Sequence, residues 1–143
     1  MAHMNRWARA AVAGAGAAAL WAGIEPGLQR LIGTPYSDLR LLGRAITRRR
    51  IWPLVGLPIH LVNGAAFAVG LEALRLRGWK KGLAVAEAET IALWPAMAVV
   101  DRFHPDSRAG RWPRLVTSPR ALALTVAGHA IFGVTVGAML ERR

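Results

Sequence analysis

The chain has 143 residues, 54% of them hydrophobic, with no cysteine and a formal net charge of +11. The lack of cysteine excludes disulfides, thiolate metal sites, cysteine nucleophiles and CxxCH haem attachment. A mean hydropathy of +0.30 is too high for an ordinary soluble domain of this size. The basic residues flank apolar blocks without any nucleic-acid recognition motif, so the charge points to lipid headgroups and not to nucleic acid.

Four apolar blocks, 10–24, 51–74, 83–100 and 121–140, hold most of the hydrophobic residues, and the charges fall between them. At 1.5 Å per helical residue each is about long enough to cross a ~30 Å hydrocarbon core, the first only if it runs on toward Leu31. A chain this short cannot cover four helices that are apolar all round. The reading is an all-α membrane protein: one domain over 1–143 with four transmembrane helices.

Residues 1–4 read as a cloning remnant, and His3 is given no role. The basic start and Ala-rich run that follow could be a secretory signal, but an internal repeat speaks for a retained helix. Residues 11–21, AVAGAGAAALW, align without gaps on 84–94, AVAEAETIALW, with seven of eleven positions identical. In the second and fourth blocks His60 precedes Gly64 and His129 precedes Gly133, and 69 residues separate the two histidines. The expected arrangement is a tandem, parallel repeat of two-helix units, about 10–74 and 83–140. Gly14 and Ala18 on the first helix, and Gly133 and Gly137 on the last, form small-residue faces suited to close helix packing.

Glu25-Pro26-Gly27 is expected to end or kink the first helix. Residues 37–47 alternate Leu39, Leu41, Leu42 and Ile46 with Asp38, Arg40 and Arg44, which predicts a short amphipathic helix in the interface between helices 1 and 2. Arg48, Arg49 and Arg50 then form the densest basic run, a partner surface for anionic lipid headgroups. Trp52-Pro53 opens the second span and the basic link 75–81 makes a tight turn into the third, which Pro95 is expected to kink. Trp112-Pro113 echoes Trp52-Pro53 in the second long connection. The two long connections hold 11 Lys and Arg and the remainder holds 8. The expected location is a bacterial inner or plasma membrane; the excess leans toward cytoplasmic long connections while the basic N-terminus argues the reverse, which leaves the orientation undecided.

Polar residues inside spans are costly and are functional candidates. Counting 1.5 Å per residue, His60 lies ~4 Å and His129 ~2–3 Å from the midplane on the same side, with Asn63 at the middle. Glu87 and Glu89 lie ~7 and ~4 Å on the other side by the same count. Glu87, Thr90, Trp94 and Asp101 share one helical stripe. The expectation is a polar column of Glu87, Thr90, Asn63, the histidines and Asp101, with Glu87 rather than Glu89 facing inward.

Four functions fit these residues. Protonatable groups spaced through a bundle suit proton or small-ion transport, which favours a homo-oligomer because four helices enclose little volume. Two level histidines beside Gly64 and Gly133 could instead ligate haem b between them, and His60, His129 and Glu89 could hold a divalent metal. A membrane enzyme acting on a lipid or isoprenoid could use Asp101 and His104 as acid and base. The last reading is an assembly subunit without chemistry.

Overall fold

The structure is a computed structural model that describes residues 5–141; residues 1–4 and the final Arg142 and Arg143 lie outside the described residues. Every regular element among the described residues is helical. Three helices are long and apolar enough to cross a membrane: Trp52–Ala73, Trp79–Phe103 and Pro119–Glu141.

Helix α1 covers Arg6–Ile32. Asn5 caps its start, its side chain accepting from the Ala8 amide at 2.8 Å. Pro26 does not end it: the helix continues through the proline to Gly33, whose φ of 72° supplies the left-handed terminator. A proline removes one amide donor but leaves its own carbonyl and the turns beyond it intact. The buried Glu25 carboxylate beside it is tied outward, accepting from Ser37 Oγ at 3.1 Å and from the Asp38 amide at 2.5 Å.

Those bonds seat α2, Asp38–Ile46, whose N-cap is Ser37. It is a helix with opposed apolar and polar faces, as its pattern predicts. Its apolar side lies on α3, Trp52–Ala73, where Gly43 and Gly56 let the two backbones touch. A Cβ on Gly56 would stand 2.2 Å from the Leu39 carbonyl oxygen. α3 ends in a turn in which Arg75 takes φ 54°. Arg77 closes the turn with a 2.7 Å ion pair to Glu72, whose side chain is fully buried.

The long helix Trp79–Phe103 is interrupted where Pro95 predicts. α4 covers Trp79–Leu93, a 3-10 turn covers Trp94–Ala96, and α5 covers Met97–Phe103. A four-residue α6, Pro105–Arg108, and a 3-10 turn at Leu115–Thr117 lead into α7, Pro119–Glu141.

The bundle is built from two tight pairs, α1 with α3 and α4 with α7, joined through α1 and α7. Both pairs cross on small residues. Gly14 and Ala18 meet Gly64, and Gly82 and Ala86 meet Gly133. α3 and α4 barely touch, despite the short turn between them. Ala10, Ala13, Ala17, Leu71, Val136 and Leu140 fill the core at that turn's end. The other end is filled around Trp21, Tyr36, Trp112, Leu115 and Leu124.

Candidate functional site

A cavity of about 280 Å³ lies between α3 and α4, backed by α1 and α7. His60 and His129 both line it, from α3 and α7. The His129 Nδ1 lies 3.0 Å from the Thr125 carbonyl, one turn back on the same helix, so that nitrogen donates and Nε2 is left as the acceptor. The His60 Nε2 is covered and has no hydrogen-bond partner. Asn63, Thr90 and Thr125 add polar groups, but the Thr90 and Thr125 hydroxyls donate to carbonyls of their own helices at 3.0 and 3.1 Å.

Of the two glutamates Glu89 lines the cavity and Glu87 does not. The packed stripe of α4 is Gly82, Ala86 and Thr90, which lies against α7. At 100° per residue Glu89 and Glu87 flank that stripe on opposite sides, and the cavity is on the Glu89 side. Glu87 is half-buried with one carboxylate oxygen covered and unpartnered. The column drawn from Glu87 to Asp101 is therefore not continuous.

Three residues that the sequence pattern does not single out complete the site: Trp21, Tyr36 and Asp38. Trp21 Nε1 donates to Asp38 Oδ2 at 3.1 Å, and the same carboxylate faces the Tyr36 hydroxyl. Burial first, and the Asp38 charge second, push the Tyr36 hydroxyl well above its ordinary pKa, so it stays a neutral donor. Asp38 also acts electrostatically on His60.

Gly64 and Gly133 do not open a slot for a porphyrin. Cβ atoms there would stand 2.6 Å from the Gly14 and Gly82 carbonyl oxygens, so their missing side chains admit helix backbone and not a ring. Nor do His60, His129 and Glu89 form a three-ligand cluster: among the described residues no three His, Asp or Glu stand close enough to hold one metal ion.

Asp101 and His104 both hold the connection before α7 through hydrogen bonds. Asp101 accepts from the Leu115 and Val116 amides at 2.7 and 3.1 Å, which fixes the turn before α7. His104 Nε2 bonds the Leu41 carbonyl at 3.1 Å and Nδ1 accepts from the Asp106 amide at 3.2 Å. Its ring stacks on Trp112 with centroids 4.6 Å apart. Both ring nitrogens are thus occupied, which leaves none for acid–base work. Burial holds the His104 pKa below its ordinary value, against the opposing pull of the Leu41 carbonyl and Asp106. The unfolded chain takes up that proton more readily, so His104 withdraws stability as pH falls below about 6.5.

Beside it the fully buried Asp106 is held by Arg40 at 2.8 Å, Arg111 at 2.8 Å and Arg44 at 3.4 Å. Burial alone would raise its pKa; the three guanidinium groups outweigh that and hold it at about 2. This cluster ties α2 to the 104–118 connection and so closes the Tyr36 end of the cavity.

These features define an all-helical protein with three helices of membrane-spanning length and, among them, a mostly apolar pocket that carries a few polar groups. Comparison with protein-family models, with curated proteins and with solved structures finds no match.

Proposed function

We propose that the chain is a four-span membrane protein whose working part is the cavity between α3 and α4, where it binds an amphiphilic molecule drawn sideways from the bilayer. The observation that carries this reading is the exposure of three lining residues, Asn63, Glu89 and Leu93, on the two helices that barely touch. With the helices upright in a bilayer, that opening faces lipid. α1, 27 residues long and packed against both α3 and α7, is the fourth span. Arg48, Arg49 and Arg50, all exposed, hold anionic headgroups at the α2 end.

A tandem repeat explains the opening. Gly14 and Gly82, like Ala18 and Ala86, are 68 residues apart, and the glycines they meet, Gly64 and Gly133, are 69 apart. This register differs from the 73-residue offset of the ungapped match between 11–21 and 84–94. If α1 corresponds to α4 and α3 to α7, the packed α1–α7 contact has an α4–α3 counterpart. Trp21 fills the first, its ring so close to Gly128 that a Cβ there would stand 2.4 Å away. Glu89 occupies the equivalent place on α4, and that side stays open.

Proton or ion conduction, the reading that the sequence favours, needs a polar path beyond the histidines. Phe67 and Phe132 stand edge to face there, 5.1 Å between centroids, above an apolar core. That supports a blind binding site, complete within one chain, over a channel. Labelling with a neutral diacylglycerol carrying a mid-chain diazirine tests it. We expect insertion into His60, Thr90 and His129, which face the cavity; labelling confined to the exposed Leu54, Val62 and Ile91 would show lipid on the outer surface only.

A further inference from the structure

We propose that the amphiphile carries a positively charged head, an amine or quaternary ammonium group, seated between Asp38 and Glu89 against the rings of Trp21, Tyr36 and Trp94. This rests on the cavity reading above and adds the charge of its ligand.

The chain holds 19 Lys and Arg against 8 Asp and Glu, so an anionic ligand would be the first guess from composition. The cavity has the opposite balance. Two carboxylates line it, and among the described residues no lysine or arginine does. Asp38 accepts from Trp21 and faces the Tyr36 hydroxyl, both neutral groups, and among the described residues no lysine or arginine pairs with it. A carboxylate also has about four lone-pair sites, so these two groups do not saturate it. Glu89 stands at the opening, and among the described residues its side chain has no ion-pair or hydrogen-bond partner. Negative charge in a low-dielectric site is costly without a counter-charge, and a bound cation supplies one. The aromatic faces attract a cation as well, most strongly where water is excluded. A sulfate, phosphate or carboxylate head would meet two like charges and no fixed cation. The tail lies along Leu93 and Phe67 and leaves through the gap toward lipid.

The test is competition against the neutral diazirine diacylglycerol in vesicles by three amphiphiles with the same ten-carbon chain: decyltrimethylammonium, decanol and decyl sulfate. Cavity labelling is read as its ratio to labelling of the outward Leu54 and Val62, which cancels general adsorption. We expect decyltrimethylammonium to halve the ratio at a concentration at least tenfold below that of the other two. Glu89→Gln removes that advantage, and because Glu89 is exposed, the variant retains the thermal melting of the parent. Asp38→Asn removes it independently. Equal or stronger competition by decanol or decyl sulfate overturns the charge assignment and leaves the cavity reading standing, as does an undiminished advantage in both variants. Absence of cavity labelling at the outset overturns the cavity reading itself.

Discussion

Valine at Gly14 or at Gly82 separates one of the two helix pairs and lowers the thermal stability of the detergent-solubilised protein by about 3 kcal/mol or more, the upper end of the overpacking range. The obstruction is backbone. A Cβ on Gly14 would lie 2.0 Å from the Gly64 carbonyl oxygen, and one on Gly82 lies 2.2 Å from that of Gly133. A flexible side chain could swing aside, but a carbonyl in a helix cannot move without carrying its neighbours. Lipid supplies no hydrophobic drive between spans, so the close approach itself holds each pair. Gly23 and Gly70 serve as controls because nothing lies within 4 Å of a Cβ at either. Alanine there is neutral or stabilising, since glycine costs a helix up to about 1 kcal/mol relative to alanine. Melting followed by circular dichroism separates the two groups, and equal effects at all four positions would contradict the packing account.

Asp106→Asn costs about 2–3 kcal/mol, less than the 3–5 kcal/mol of a wholly buried broken pair because Arg40 and Arg111 are partly solvated. It leaves three guanidinium groups around a neutral amide and frees α2 from the 104–118 connection. The pH dependence identifies the cause. Asp106 titrates at about 2 in the fold and near 3.8 unfolded, so its stabilisation is complete above about 4 and is lost as pH falls through about 2. The parent loses stability over that window, and Asp106→Asn, lacking the group, loses correspondingly less. An acid titration with the same slope in both proteins would show that the carboxylate is not ionised by its arginines.

The helices are legible in the sequence because apolar runs of 15 to 24 residues and an alternating Leu/Arg stretch at 38–46 leave few other structures. His60 and His129 stand out for the same reason: a polar group in a long apolar run is conspicuous. Asp38 does not, because an acid after a serine N-cap looks like any favourable first-turn residue. Its role depends on Glu25 turning α2 so that the carboxylate meets Trp21, a contact across 17 positions. Arg40 reaches Asp106 across 66 positions, and no local pattern announces such a bond. The glycines mislead in a different way. A gap in a helical face has the same spelling whether a cofactor or a backbone fills it, and only the approach of Gly14 and Gly82 decides. The inward face of α4 also escapes a stripe count, because Glu87 and Glu89 flank the packed stripe almost symmetrically.

The most direct measurement of the central claim is native mass spectrometry of the protein released from lipid nanodiscs, beside an Asn63→Trp variant. Asn63 lines the cavity at its exposed opening and outside the packed helix contacts, so the indole blocks the entrance without separating a helix pair. The parent is expected to retain one amphiphile per chain through detergent exchange, and the variant, at unchanged helical content, none. Equal retention by both proteins, or none by the parent, would contradict a binding site between α3 and α4.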